Sequence, residues 1–407
     1  MFEAKSICVI GLGYIGLPTA SLLATKGYEV HGVDIRADII DTINAGNIHI
    51  REPELDVLVR SAVQSGHLRA SLEPKPSDVF ILAVPTPFKE GHVPDLQYVE
   101  ASSRAVAPHL RRGNLLILES TSPVGTTERV AKWVKEERPD LGDGELFIAH
   151  CPERVLPGQI IKELVSNDRI VGGINDASTE AAADFYRSFV SGEVLCTTSR
   201  TAELAKLTEN TFRDVNIALA NELSLVCDHL GVNVWELIEL ANHHPRVNVL
   251  QPGPGVGGHC IAVDPWFIVD SAPTHARLIR TAREVNDAKP SYVVQRVRSR
   301  ARRIKEPVIA CFGIAYKADI DDLRESPALE IAASLLEEQV GEVLIVEPYV
   351  KELPARLASH GGRLVTQEDA LSRADIIVGL VDHRPFKRID PAELAEKVVI
   401  DTKGMWR

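Results

Sequence analysis

A cysteine near the middle of the chain follows an unusually glycine-rich stretch. Four glycines precede Cys260 in the segment GPGVGGHCIAVD, residues 253–264. Glycine serves poorly inside a regular element but lets backbone approach a bulky group closely. A thiol in this setting suits a nucleophile that forms a covalent intermediate, with Asp264 near enough to orient or activate a water and His259 beside the thiol. The alternative is an inert, buried cysteine.

A lysine and an asparagine form a second candidate pair. Lys206 and Asn210 lie four residues apart in AKLTEN, so they project from one face of a predicted helix. An ammonium group and a carboxamide there would grip a sugar hydroxyl or a developing oxyanion. An exposed helix pair without function is the alternative.

A charged segment near the C-terminal half forms a third candidate. In GIAYKADIDDLRESP, residues 313–327, Lys317 and Arg324 are suited to contact a phosphate. Ser326 before Pro327 predicts a helix N-cap followed by proline at the first helical position. A solvated surface loop would have the same composition.

The N-terminal segment GLGYIG predicts a dinucleotide-binding turn. It follows a predicted strand and opens a predicted helix, with Gly11 allowing a tight turn, Gly13 an approach to a pyrophosphate and Gly16 close helix packing. Asp34, 23 positions after Gly11, is placed to accept hydrogen bonds from an adenosine ribose, which favours NAD. Arg36 leaves NADP open, since an arginine can accept a 2′-phosphate.

Three further polar residues come just after predicted strands: Thr86, Thr121 and Glu153. In an open parallel sheet the ligand crevice lies outside the carboxyl ends of the strands. We therefore expect these three side chains to converge on the nicotinamide end of the cofactor.

The elements that must position these residues alternate between strand and helix. Apolar runs predict strands at residues 7–10, 30–33, 79–84, 115–118, 146–148 and 170–172, with helices at 17–25 and 99–110. Helical periodicity then predicts one long helix over 201–230 and further helices at 234–241 and 276–303. Strands follow at 308–312, 343–346, 376–379 and 398–400.

The predicted fold class is therefore α/β, with two Rossmann-like, doubly wound parallel-sheet domains joined by a long-helix connector. The predicted domains are residues 1–196, which would bind NAD, residues 197–303, which carry the candidate Lys206 and Cys260, and residues 304–407.

Composition excludes several classes of function. The chain has 407 residues and a net charge of −12, which argues against a nucleic-acid partner. Six scattered cysteines without a C-x-x-C pair indicate reduced thiols, no metal site and a cytoplasmic protein. The uncharged stretch 6–25 contains three glycines and Pro18, which would interrupt a signal or membrane helix.

Several long segments resemble the UDP-glucose/GDP-mannose dehydrogenase family across essentially the whole chain: CPERVLPGQ, KLTENTFRDVNIALANELS, HPRVNVLQPGPGVGGHCIAVDPWF and DDLRESPA. The resemblance implies NAD-dependent oxidation of a sugar C6 alcohol to a carboxylate in two hydride transfers. Cys260 would form a thiohemiacetal and then a thioester. The strings are closest to the branch that oxidises UDP-N-acetyl-D-mannosamine for surface polysaccharides.

The resemblance also assigns residues 304–407 to binding of the UDP-sugar and gives roles to single residues. Lys206 would stabilise oxyanions, Asp264 would position Lys206 and water, Asn210 would bind the sugar, and Glu153 with Thr121 would hold the water. The cofactor would contact Gly11, Gly13, Tyr14, Ile15, Gly16, Asp34, Arg36, Thr86, Thr121 and Arg324. The UDP-sugar would contact Arg154, Val155, Lys206, Asn210, Arg213, Gly257 and Lys317, with His244 and Arg246 acting across a homodimer interface.

One departure and three rival functions bear on the assignment. UDP-glucose dehydrogenases usually carry a second glutamate four residues after Glu153, where this chain has Pro157. That favours an acetamido sugar over UDP-glucose, with UDP-N-acetylglucosamine as another alternative. A β-hydroxyacid dehydrogenase would not need the Cys260 segment, an epimerase would need a Tyr-x-x-x-Lys motif that the chain lacks, and a non-catalytic NAD sensor would not need the polar set.

Overall fold

The computed structural model describes residues 2–142, 144–156, 158–258 and 260–406, apart from the Glu90 side chain. These residues form two compact units, 1–208 and 209–407. The division into three domains made from the sequence stays a prediction.

The first unit is built on an eight-stranded sheet, counted over the residues that the structure describes. Its strands run in the order β10-β9-β8-β7-β4-β1-β2-β3, and a small hairpin, β5-β6, lies outside this sheet. The strands are β1 (Ser6–Ile10), β2 (Glu29–Val33), β3 (Leu68–Ser71), β4 (Val79–Leu82), β5 (Phe88–Lys89), β6 (Val93–Pro94), β7 (Leu115–Leu118), β8 (Phe147–His150), β9 (Arg169–Gly173) and β10 (Val194–Thr198).

Helices cover both faces of this sheet. Ile7 and Val9 on β1 belong to one apolar core, and the alternating residues Cys8 and Ile10 belong to another, because successive side chains point to opposite faces. The helices are α1 (Gly16–Thr25), α2 (Ala37–Asn44), α3 (Leu55–Gln64), α4 (Gln97–Val106), α5 (Thr126–Glu137), α6 (Ile160–Ser166) and α7 (Asp176–Arg187). Helix α8 (Ser199–Leu230) begins in this unit, and its residues from 209 onward belong to the second unit.

The second unit repeats the doubly wound design on a five-stranded, wholly parallel sheet in the part of the chain described. Its strand order is β13-β12-β11-β14-β15, again with an apolar core on each face. Its elements are α9 (Val234–Asn242), α10 (Asp264–Ser271), α11 (Arg277–Ala301), β11 (Val308–Phe312), α12 (Pro327–Glu337), β12 (Glu342–Val346), α13 (Ala355–Ala358), β13 (Arg363–Leu364), α14 (Gln367–Arg373), β14 (Ile376–Gly379), α15 (Pro391–Leu394) and β15 (Val398–Asp401). The predicted fold class is confirmed.

The long helix α8 is held against α11 by a row of polar contacts. Residue numbers rise together along both helices, so the two helices run in the same direction. The pairs are Asp214–Arg283 at 2.6 Å, Asn221–Asn286 at 2.9 Å, Ser224–Lys289, and Asp228–Arg296 at 3.0 Å. Among the described residues, no helix has the length and apolarity needed to cross a bilayer.

Three features differ from the sequence-based expectation. Strand β9 pairs antiparallel with β8, so the first sheet is not wholly parallel. The helix predicted over 99–110 is α4, which gives way to a 3₁₀ turn at Ala107–His109. Pro108 has no N–H for the α-helical ladder, which explains the change. The edge strands β3 and β10 escaped prediction because several of their positions are exposed and their patterns lack a continuous apolar run.

We predict that Asp214→Ala lowers the free energy of unfolding by about 3 kcal/mol, because it removes the buried partner of Arg283. Arg283 is 2% exposed and Asp214 is 0% exposed. Urea unfolding measures the change. Asp369→Ala is the control, because Asp369 pairs with Arg373 on the surface. This substitution should change the free energy of unfolding by less than about 0.5 kcal/mol. Equal effects of the two substitutions would contradict the prediction.

Candidate active site

The glycine-rich turn after β1 is shaped by close packing at two positions and left open at a third. A Cβ on Gly11, whose φ is +90°, would lie 2.4 Å from the Ala83 carbonyl oxygen. A Cβ on Gly16 would lie 1.8 Å from the Gly11 carbonyl oxygen. Nothing lies within 4 Å of the Cβ position of Gly13, so this face of the turn has room for a ligand. The turn therefore fits a dinucleotide phosphate.

Asp34 fixes the same turn from the end of β2. Its carboxylate accepts the Leu12 N–H at 3.0 Å and the Arg36 N–H at 3.1 Å. The Arg36 guanidinium is itself paired with Asp38, with Nε 3.1 Å from the carboxylate. An acidic group at this position repels a 2′-phosphate and suits a ribose hydroxyl, so the site fits NAD better than NADP. Tyr14 and Ile15 lie within the turn, and Tyr14 is 44% exposed.

The strands that precede Thr86, Thr121 and Glu153 are neighbours in the sheet, in the order β8-β7-β4. The Thr86 hydroxyl donates to the Thr121 carbonyl at 2.6 Å, so these two residues are in contact. Glu153 is 8% exposed and forms an ion pair with Arg169 at 2.7 Å. All three residues therefore follow strands that end at one edge of the sheet.

Two carboxylates that sequence reasoning missed hold neighbouring segments of the first unit. Glu203 accepts the N–H groups of Gly125 and Thr127 at 2.6 and 2.7 Å, so it serves the N-terminus of α5, which has no capping side chain of its own. This contact fastens α8 three residues before Lys206. Glu52 accepts the N–H groups of Gly158 and Ile160, both at 2.8 Å. No local pattern marks either residue, because the partners are 76 to 108 positions away.

Cys260 is exposed, and hydrogen bonds within the second unit hold the segment that follows it. Its carbonyl accepts the N–H groups of Val263 and Asp264 at 3.1 and 2.9 Å, which leads directly into α10. The Asn210 amide donates to the Asp264 carboxylate at 2.5 Å, and these two side chains are 5% and 3% exposed. The structure thus joins the segment after Cys260 to α8 through two of the predicted residues.

The glycines before Cys260 pack against the third candidate segment. Cβ atoms on Gly255, Gly257 and Gly258 would lie 2.9 Å from Pro327 Cβ, 2.3 Å from the Glu325 carbonyl oxygen and 2.9 Å from the Tyr316 ring, respectively. The sequence suggested that these glycines admit a substrate. The structure gives them a nearer neighbour, the segment 316–327, and so brings two of the three candidate segments together.

The turn after β11 repeats the arrangement of the first unit's turn. Gly313 has φ +91°, its N–H donates to the Val346 carbonyl at 2.9 Å, and Glu347 accepts the Ile314 N–H at 2.8 Å. These contacts match those of Gly11 with Val33 and of Asp34 with Leu12. A second nucleotide-binding turn therefore fits this place. The Ser326 side chain accepts the Leu329 N–H at 3.3 Å, which confirms the predicted N-cap.

The remaining predicted residues are placed as follows. Lys317 is exposed, Arg324 is exposed and paired with Asp322 at 2.6 Å, Lys206 is half-buried, Arg213 is exposed, Arg154 donates to the Asp168 carbonyl at 3.1 Å, Val155 is half-buried, and His244 and Arg246 are exposed after α9. His259 and Pro157 lie outside the described residues. Within the described ranges no cluster of three His, Cys, Asp or Glu side chains offers a metal site. The roles of the site residues stay predictions.

Sequence comparison decides the family. Residues 5–190 match the NAD binding domain of the UDP-glucose/GDP-mannose dehydrogenase family, 200–288 its central domain and 310–407 its UDP binding domain. The chain belongs to the UDP-glucose/GDP-mannose dehydrogenase family. The predicted family and the predicted cofactor, NAD, are confirmed.

Individual relatives match along the whole chain. An NDP-N-acetyl-D-galactosaminuronic acid dehydrogenase of Ralstonia nicotianae is 61% identical over 411 residues, which cover 99% of this chain and 97% of the relative. A UDP-N-acetyl-D-mannosamine dehydrogenase of Yersinia pestis is 55% identical, covering 99% of both chains. The solved structure of a UDP-D-ManNAc dehydrogenase from Pyrococcus horikoshii has a TM-score of 0.89 at 42% identity, covering 99% of this chain and 96% of that one.

We predict that Asp34→Ala raises the KM for NAD at least about tenfold, because hydrogen bonds to a charged group contribute about 1.5–3 kcal/mol. Initial rates of NADH formation at varied NAD concentrations measure the change. Asp41→Ala is the matched control, because Asp41 is an exposed carboxylate on α2, and its KM should stay within about twofold. An unchanged KM in Asp34→Ala would remove Asp34 from the cofactor site.

Proposed function

We propose that this dehydrogenase oxidises the C6 alcohol of UDP-N-acetyl-D-mannosamine to the carboxylate in two steps, with Cys260 as a covalent nucleophile. The observation that carries the proposal is the exposed Cys260 thiol on a segment held by the buried Asn210–Asp264 hydrogen bond. A reaction that stopped at the aldehyde would need no nucleophile.

The residues of the first unit hold the cofactor in this proposal. Gly11, Gly13 and Gly16 form the turn at the pyrophosphate, and Asp34 accepts the ribose hydroxyls. Bound NAD supplies a hydride acceptor for each of the two oxidations. Thr86 and Thr121, which are joined by a hydrogen bond, line the end of the sheet that receives the nicotinamide.

Cys260 makes the second oxidation feasible. Its sulfur adds to the aldehyde carbon, and the resulting thiohemiacetal carbon carries a hydrogen that can leave as hydride. Loss of that hydride and of the hydroxyl proton gives a thioester. Water then adds to the thioester carbon, the C–S bond breaks, the Cys260 thiol is regenerated and the uronate is formed.

The neighbouring polar residues divide the remaining tasks. Lys206 stabilises the oxyanion that forms when sulfur or water adds to the carbonyl carbon. Asp264 positions the lysine and water, while Asn210, which holds Asp264, also binds the sugar. Glu153 and Thr121 hold the water that cleaves the thioester.

The names of the relatives indicate two candidate sugars. Relatives at 54–55% identity are named UDP-N-acetyl-D-mannosamine dehydrogenases, and the P. horikoshii structure carries the same activity in its name. The 61% identical R. nicotianae relative is named for N-acetyl-D-galactosaminuronic acid instead. UDP-N-acetyl-D-galactosamine is therefore the second candidate substrate.

In this proposal the second unit binds the UDP moiety, because residues 310–407 match the UDP binding domain of the family. Lys317 and Gly257 contact the sugar nucleotide there, with Arg213 from α8 and with Arg154 and Val155. Arg324 reaches the cofactor pyrophosphate. The enzyme acts as a cytoplasmic homodimer in which His244 and Arg246 serve the partner's site. Six cysteine thiols without a disulfide fit a reducing compartment.

An assay of NADH formation over a panel of sugar nucleotides tests the proposal. The panel holds the UDP derivatives of N-acetylmannosamine, N-acetylgalactosamine, N-acetylglucosamine and glucose, and also GDP-mannose. We expect the highest kcat/KM with UDP-N-acetylmannosamine and two NADH per sugar consumed. A preference for the galactosamine derivative would select the second candidate. One NADH per sugar would contradict the two-step oxidation.

We predict that Cys260→Ala abolishes uronate formation while NAD still binds, because in this proposal the Cys260 sulfur holds the aldehyde carbon for the second hydride transfer. Product analysis and calorimetric titration with NAD measure the two properties. Cys196→Ala is the matched control, since Cys196 is the other exposed cysteine, and it should keep full activity. Near-normal uronate formation by Cys260→Ala would refute the covalent route.

A further inference from the structure

Behind Glu153 lies a buried cluster with two acids and one cation. Its members are at most 8% exposed: Glu119, Cys151, Glu153, Arg169 and Tyr186. Glu119 directly follows β7, two residues before Thr121, and Arg169 begins β9. If both acids were ionised, the cluster would hold one uncompensated negative charge among side chains that are at least nine-tenths buried.

The contacts in the cluster stabilise the ionised form of Glu153 more than the ionised form of Glu119. Arg169 donates to the Glu153 carboxylate at 2.7 Å and to the Leu164 carbonyl at 3.0 Å. Among the described residues, the Glu119 side chain accepts a single hydrogen bond, from the Tyr186 hydroxyl to Oε1 at 2.7 Å. The Arg169 guanidinium lies over the Tyr186 ring, 5.4 Å from its centroid, so Tyr186 contacts both Glu119 and the cation.

Two atoms of this cluster are buried without a hydrogen-bond partner in the described part of the chain: Glu119 Oε2 and Arg169 Nε. A buried carboxylate oxygen without a donor strongly disfavours the ionised form. Burial, followed by the charge of Glu153, raises the pKa of Glu119 to about 7. Burial also raises the pKa of Cys151 to about 12 and that of Tyr186 above its usual value, so both stay neutral.

We propose that Glu119 is a positioning residue for Glu153. While Glu119 is neutral, Glu153 is the one carboxylate of the cluster that pairs with Arg169. When Glu119 is ionised, it competes for Arg169 and so makes Glu153 a stronger base. The unpaired acceptor on Glu119 and the unpaired donor on Arg169 provide the interaction that ionisation would form. This inference rests on the proposed function, which gives Glu153 the water that cleaves the thioester.

The ionisation of Glu119 should affect the rate of the last chemical step, the hydrolysis of the thioester. Water must give up a proton as it adds to the thioester carbon, and Glu153 accepts that proton more readily when it shares Arg169 with a second carboxylate. The proton that Glu119 loses goes to solvent, and no group is oxidised or reduced. Thioester cleavage should therefore gain from the ionisation of Glu119 between about pH 6 and pH 8.

We predict that the ratio of kcat in Glu119→Gln to kcat in the wild type falls at least about threefold between pH 6 and pH 8.5, while the KM for NAD stays unchanged. Gln keeps the oxygen that accepts the Tyr186 hydroxyl and cannot ionise. Tyr186→Phe keeps the ring under Arg169 but removes a hydrogen bond to the ionised form, so it should move the rise in kcat to higher pH. Glu180→Gln, an exposed substitution on α7, is the control, with a ratio of one throughout.

Urea unfolding at pH 5.5 and pH 8 provides a second measurement. The folded state holds the Glu119 proton more tightly than the unfolded state, so the wild type loses stability as pH rises towards 7, and Glu119→Gln lacks this loss. The unfolding midpoint of Glu119→Gln minus that of the wild type should therefore increase with pH. A constant kcat ratio, or a constant midpoint difference, overturns the inference. Failure of the proposed function would appear separately, as a wild type that forms no uronate.

Discussion

The buried hydrogen bond between Asn210 and Asp264 holds the end of the segment that carries Cys260. It joins a long helix to the first residue of α10, and α10 begins four residues after Cys260. Breaking it by removing either side chain would leave a buried polar group unsatisfied, which costs about 1–3 kcal/mol. The thiol is therefore presented by a segment whose far end is fixed, although Cys260 itself is exposed.

Glycines serve two purposes in this chain, and the structure separates them. At Gly11, Gly16 and Gly257 a side chain would collide with backbone carbonyl oxygens of the protein itself. At Gly13 the space is open, which is the condition for a ligand to approach the backbone. The same turn geometry recurs at Gly313 with Glu347 in the place of Asp34, so one local solution serves both nucleotide-binding units.

The sequence predicted the parts of the fold that depend on local pattern. Apolar runs such as residues 79–82 and 115–118 identify central strands because such strands are buried on both faces, and the long helix follows from its periodicity. The antiparallel pairing of β8 with β9 was not predictable, because the direction of a neighbouring strand leaves no trace in either strand's own residues.

Sequence motifs likewise identified the residues expected to touch ligands but not those that support them. The sequence identifies both Asn210 and Asp264 as candidates, yet nothing in their spacing of 54 positions predicts that they form a hydrogen bond with each other. The sequence does not identify Glu203, Arg169 or Glu119, because each contacts side chains or N–H groups that are distant in sequence. Burial and hydrogen-bond partners mark such residues, and both arise only when the folded chain brings distant segments together.

Trapping the enzyme-bound intermediate shows whether the sugar is carried on the Cys260 sulfur between its two oxidations. Wild-type enzyme is quenched in acid during turnover, digested and analysed by peptide mass spectrometry. We expect a uronyl-sugar adduct on the peptide that contains Cys260, and hydroxylamine should release it, as it does a thioester. Full turnover with this peptide unmodified at every quench time would contradict it.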